Sequence, residues 1–213
     1  MNKLTKKFYL QKCLVVAKEL IGKILVRIKD RKVYSGIIVE TEAYLGAKDA
    51  ASHSYPGKSK RNANMFSEGG IVYVYFTYGN HYCFNVVTGP EEIAHAVLIR
   101  AVEPVLGIKE MKKNRGTDSI YNLANGPGNL AKAFEIDSKL NGATLGGTEI
   151  FIMENEQNDC KVGRSKRIGI TKNADKLYRF FAKDNGFVSK KIPAKAVRRT
   201  PTEESIHNIL LII

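Results

Sequence analysis

Glu40, Glu42 and Tyr44 stand two apart in the segment VETEAYLG, and the later segment VYVYFTYG puts four aromatics into six positions. An extended strand alternates its side chains, so the first three residues share one face and Val39, Thr41 and Ala43 take the other. With 34 Lys and Arg against 21 Asp and Glu, the chain carries a net charge of +13. Carboxylates beside aromatic rings on a basic protein suggest chemistry on a nucleobase. The basic surface would draw phosphate, the rings would stack on a base, and a carboxylate would activate water. The residues alone do not choose between Glu40 and Glu42. They equally allow Arg100 to be an ion-pairing or phosphate-contacting residue, His53 a plain loop histidine, and the tyrosines core or sheet-edge aromatics.

Other chemistries lack their signatures. No GxxxxGK[ST], GxSxG, HExxH or EF-hand pattern occurs, nor the H-x-E with P-C-x-x-C of zinc deaminases. Cys13, Cys83 and Cys160 are odd in number and widely spaced, which argues against a disulfide framework or a metal knuckle and for a reducing, cytoplasmic setting. Each thiol reads as a small buried hydrophobe. The amino terminus has no apolar run of signal length, and the terminal ILLII is far too short to cross a bilayer. No membrane association is expected.

The elements that must position these residues follow from periodicity. Leu10, Cys13, Leu14, Ala17, Leu20 and Ile21 predict one amphipathic helix over 10–21, capped at Gly22. Residues 24–28 and 33–44 read as a hairpin, and 71–78, 96–102, 148–154, 166–170 and 178–182 as further strands. Short helices are expected at 107–113 and 130–134. The polar stretch 46–64, which holds Ala51 and His53, exceeds an ordinary connection and is a candidate functional loop. Without a βαβ rhythm or a glycine-rich nucleotide fingerprint, the expectation is an α+β fold. It would be a single domain over 1–213 with a curved, mainly antiparallel sheet, peripheral helices, and ends frayed at 1–5 and about 203–213.

Several ordered strings then point to one family. GIIVETEAYLG (36–46), AASHS (50–54), RNANMF (61–66), GGIVYVYFTYGNHYCFNV (69–86), AVLIRAVEP (96–104), NGPGNLAKAF (125–134), RIGI (167–170) and FVS (187–189) resemble the alkyladenine, or 3-methyladenine, DNA glycosylases. The resemblance covers most of the chain. It implies a monofunctional enzyme that flips alkylated or deaminated purines out of double-stranded DNA and hydrolyses the N-glycosidic bond, leaving an abasic site. Water is the nucleophile and no metal or cofactor is implied.

By the same resemblance Glu42 is the general base, while Arg100 and the backbone carbonyl of Ile168 help to position the water. Tyr44, Ala51, His53 and Tyr75 form the base pocket, and Asn85 excludes guanine by clashing with its 2-amino group. Tyr78 is the wedge that fills the vacated stack, and Tyr73 is structural. Asn80 replaces an apolar neighbour of the wedge found in an animal member, and the basic loop with Lys58, Lys60 and Arg61 is shorter. A monomeric, minimal bacterial-type enzyme is expected. The competing readings are a non-catalytic nucleic-acid-binding module and a glycosidase acting on free nucleosides.

Overall fold

A computed structural model describes residues 2–77 and 79–189. Tyr78, the basic segment 190–199 and the terminal ILLII lie outside the described residues. The amino-terminal helical region is two pieces, α1 (Lys6–Tyr9) and α2 (Cys13–Glu19). The single helix expected over 10–21 is interrupted because Lys12 is extended (φ −58°, ψ 133°) and Leu10, placed on the apolar face by periodicity, is exposed. The Tyr9 carbonyl accepts from Gly89 N–H instead of continuing the helix (2.9 Å).

Eight strands follow. They are β1 (Ile24–Lys29), β2 (Lys32–Leu45), β3 (Val72–Thr77), β4 (His81–Thr88), β5 (His95–Leu106), β6 (Ile150–Met153), β7 (Val162–Ser165) and β8 (Arg179–Ala182). The pairing order is β3-β4-β5-β2-β1-β6, with β7 and β8 branching from β2, and every pairing is antiparallel. The sheet is strongly curled. Helices α3 (Ile108–Arg115) and α4 (Pro127–Ala133) flank it, so the fold is α+β. Proline at the first position of α4 costs no hydrogen bond there, which is why NGPG starts a helix well.

Strand β2 is the organiser. Along its length it pairs with β5, while its first half pairs with β1 and its second half, at Glu40–Glu42, with β8. Its Val39 and Ala43 enter the main core with Val16 and Ala17 of α2, and the Thr41 hydroxyl donates to the Ala17 carbonyl (2.7 Å). The same core takes Val72, Val74, Phe84, Val86, Val97 and Ile99 from β3, β4 and β5, leaving the opposite face of those strands for other work.

Two strand expectations need correction. Residues 81–88 form β4, a strand absent from the expected set, between 71–78 and 96–102. The expected strand over 166–170 lies earlier, at β7, and 166–170 is irregular. Gly169 adopts φ +73°, a left-handed conformation that turns the chain away from sheet geometry. Among the described residues no helix is long and apolar enough to cross a membrane.

Candidate active site

The register of four neighbouring strands builds the site. Tyr73 of β3 stands opposite Asn85 of β4, Asn85 opposite Leu98 of β5, and Leu98 opposite Glu42 of β2. At about 4.8 Å between strands this row extends about 14 Å across the sheet. The same face supplies Tyr75, Cys83, Arg100 and Tyr44. Together with Ala51 and His53 of the 46–64 loop and Ile168 and Gly169 of the segment after β7, they line a cleft of about 290 Å³. The structure thus brings the expected residues Tyr44, Ala51, His53, Tyr75, Asn85, Arg100 and Ile168 to one hollow.

Glu40 and Glu42 are both fully buried. Arg100 reaches both because it is a bulge: Glu40 pairs with Ala101 and Thr41 with Ile99, so Arg100 is the extra residue of β5. Bulges re-aim side chains beside functional sites in this way. Its Nε lies 3.2 Å from Glu40 Oε1 and its Nη1 3.4 Å from Glu42 Oε2. Glu40 also binds Arg179 (Nε, 2.6 Å) and accepts from the Ser189 N–H (2.7 Å).

Glu42 has a different shell. Its Oε2 accepts from the Tyr44 hydroxyl (2.9 Å) and its Oε1 from the Ile168 N–H (2.7 Å). Glu42 itself sits beneath the cleft, and the three residues that hold its carboxylate, Tyr44, Arg100 and Ile168, are part of the lining. Burial pushes its pKa above the usual carboxylate value, and Arg100, the Ile168 N–H and the Tyr44 hydroxyl offset that rise only in part. The contact that Ile168 makes to Glu42 is through its N–H, whereas the resemblance had drawn attention to its carbonyl.

The aromatic wall is β3 and the loop. His53 packs edge-on against Tyr75 with ring centroids 4.3 Å apart, and its Nδ1 lies 3.2 Å from the Tyr73 hydroxyl. Tyr73, read from sequence as structural, therefore belongs to the cleft. The period-2 alternation with Tyr75 is the signal that could have found it. Burial, and behind it the charge of Arg61, lowers the His53 pKa, so its ring is neutral near pH 7. The loop carrying His53 is pinned by Asn62, whose amide donates to the carbonyls of His53 (3.0 Å) and Gly57 (2.9 Å). Asn85 donates to the Tyr73 carbonyl (3.0 Å), which fixes its amide at the cleft wall.

Two buried residues escaped sequence reasoning altogether. Arg167 and Asp49 form a two-pronged ion pair (2.5 and 2.8 Å), and Arg167 also donates to the Ala43 carbonyl (2.9 Å). Arg167 lay within the RIGI string, but nothing local marked Asp49 as its partner 118 residues earlier. The basic loop is partly engaged: Lys58 pairs with Glu92 (2.7 Å) and Arg61 donates to the Phe76 carbonyl (3.3 Å). Cys13 and Cys83 are buried and Cys160 is half-buried, and none of the three is in a disulfide. Among the described residues no three His, Cys, Asp or Glu side chains converge as metal ligands would.

Comparison with known proteins bears on this arrangement. The sequence model of the family described as methylpurine-DNA glycosylase (MPG) matches residues 7–186. A protein of Chlorobium phaeobacteroides (strain BS1) is 47% identical over 198 residues, spanning 92% of this chain and 100% of its own. One of Carboxydothermus hydrogenoformans is 49% identical over 88% of this chain and 99% of its own, and one of Francisella tularensis subsp. tularensis is 46% identical over 84% and 95%. All three carry the name "Putative 3-methyladenine DNA glycosylase".

Proposed function

Because the chain belongs to the methylpurine-DNA glycosylase family, and is accordingly a DNA N-glycosylase of the 3-methyladenine type, we propose that it flips an alkylated or deaminated purine out of duplex DNA. Glu42 then activates a water that cuts the N-glycosidic bond and leaves an abasic site. The observation that carries this reading is a fully buried carboxylate whose three holders all line an aromatic cleft. A glutamate used only for structure gains nothing from that placement.

In the proposed sequence the extruded purine enters beside Tyr44, Tyr75 and His53. Stacking, at about 1–3 kcal/mol per base, offsets the few kcal/mol lost from pairing and stacking in the duplex. Lesions that pair poorly start with a lower cost. Asn85 crowds the 2-amino group of an undamaged guanine, and the neutral His53 hydrogen-bonds the base edge. A water held by Arg100 and the Ile168 carbonyl lies against the Glu42 carboxylate, which keeps its hydrogen bond from the Tyr44 hydroxyl. Glu42 accepts a proton from this water as its oxygen bonds to C1′, while the electrons of the breaking C–N bond leave with the purine. The ionised carboxylate also stabilises the positive charge that builds on the sugar. Tyr78, outside the described residues, is assigned the wedge role. Water serves as nucleophile, so no lysine adduct forms and no cofactor enters the step.

The test is single-turnover excision by the Glu42→Gln variant on duplexes carrying 3-methyladenine or hypoxanthine. Excision is expected to be lost while binding to an abasic-site duplex persists. Release of base at the wild-type rate would remove Glu42 from this role. Parallel assays on single strands and free nucleosides separate the duplex enzyme from a nucleosidase, and strong salt dependence is expected only for the former.

A further inference from the structure

The buried Asp49–Arg167 pair stands behind the Tyr44 side of the proposed base pocket. Both side chains are inaccessible to solvent. The Arg167 guanidinium lies between two rings, 4.6 Å from the centre of Tyr44 and 5.3 Å from that of Tyr178. Tyr44 lines the cleft and Arg167 does not, so the cation backs the face of the ring turned away from the cleft. Asp49, holding the guanidinium, also accepts from the N–H groups of Leu45 and Ala51 (3.2 Å each), which ties the pair to the loop carrying Ala51 and His53. On the other side the residue after Arg167 gives its N–H to Glu42.

We propose that Asp49 and Arg167 are positioning and specificity residues: the guanidinium orients Tyr44, and Asp49 cancels the guanidinium charge so that a cationic purine can stack on the front of that ring. This rests on the proposed function. An aromatic face attracts a cation because of its own electron density, and a second, uncompensated cation on the reverse side opposes that attraction. Lesions such as 3-methyladenine carry a positive charge in DNA, whereas hypoxanthine is neutral. The pair therefore sets how strongly the site favours charged over neutral lesions. A bidentate Arg–carboxylate fork also fixes the guanidinium plane more firmly than a lysine would.

The test compares single-turnover excision of 3-methyladenine and of hypoxanthine from duplex DNA by folded variants. The wild-type protein is expected to release both. If it releases neither, the proposed function fails and the pair is not at issue. Asp49→Asn leaves a bare cation behind Tyr44 and is expected to lower the ratio of 3-methyladenine to hypoxanthine excision on the order of tenfold, the effect of one extra charge across the ring at an effective dielectric near 20. An unchanged ratio in that variant, with its circular dichroism intact, overturns the electrostatic claim. A bare buried charge sometimes prevents folding, so the double variant Asp49→Asn/Arg167→Met gives a second reading. With both charges gone its ratio is expected to stay within about twofold of wild type, while both rates fall because Tyr44 has lost its anchor. Wild-type rates on both substrates overturn the positioning role, and a shifted ratio overturns the charge balance. A purely structural pair would change stability and leave the ratio alone.

Discussion

Glu40 and Glu42 lie two residues apart on one face of one strand, equally buried, yet the two ends of that short stretch are built for different purposes. Around Glu40 the sheet collects two guanidiniums, Arg100 and Arg179, and a backbone N–H from Ser189. Around Glu42 it supplies a share of Arg100, one phenol and one N–H, and the pKa stays above its ordinary value because burial is not fully repaid. Each carboxylate has three partners, but two of those at Glu40 are guanidiniums, whereas Glu42 has one shared guanidinium, a phenol and an N–H. Under the proposed function this weaker compensation leaves Glu42 the carboxylate suited to take a proton. The difference teaches that two carboxylates alike in type, strand face and burial are told apart by the charge of their partners.

The contrast is open to direct attack. The largest effect is expected for Glu42→Gln, with single-turnover excision falling by about 10²–10⁴-fold, the usual share of a general base. The same change is expected to leave thermal stability unchanged or raise it. A carboxylate whose pKa is raised by folding contributes stability below its unfolded pKa and loses that contribution as pH rises through its folded pKa, so above that folded pKa the ionised form is a liability that glutamine removes. Next comes Glu40→Gln, which breaks a buried ion cluster and is expected to cost about 3–5 kcal/mol in denaturant unfolding. If the two variants swapped behaviours, with Glu40→Gln inert but stable and Glu42→Gln active but unstable, the assignment would reverse.

A third change sharpens the comparison. Wild-type excision should fall as pH drops through the raised pKa of Glu42, placing the acid limb of the pH–rate profile above the usual carboxylate value. Tyr44→Phe removes a hydrogen bond that lowers that pKa and should move the limb to higher pH. A limb at the ordinary carboxylate position in both proteins would show that Glu42 is not the titrating group. The smallest effect is expected at Tyr73→Phe, which takes away the hydroxyl facing His53 Nδ1 and should alter lesion preference a few-fold, roughly one neutral hydrogen bond. The acid limb should not move with it.

Much of this is legible in the sequence. The alternation of Glu40, Glu42 and Tyr44 placed them on one face, the tyrosines at 73 and 75 repeated the pattern, and the ordered strings named the family. Strand β4 is legible too, since Tyr82, Phe84 and Val86 face the core while His81, Cys83 and Asn85 face the cleft, a regular alternation of period two. Two things are not. The Arg100 bulge has no local sequence mark, since it arises from two strands whose registers disagree by one residue. What separates Glu40 from Glu42 is supplied by residues 100, 168, 179 and 189, all remote in sequence, and single-strand periodicity carries no such information.

The cross-strand row from Tyr73 through Asn85 and Leu98 to Glu42 has a further consequence for how this protein can change. Its span is fixed by sheet spacing, like marks on a ruler, and adding or deleting one residue in any of the four strands would invert that strand and send its mark to the far side. The lining of the cleft can therefore change by exchange of side chains at those marks or by remodelling of the 46–64 loop, while the distance from Tyr73 to Glu42 stays out of reach of small insertions.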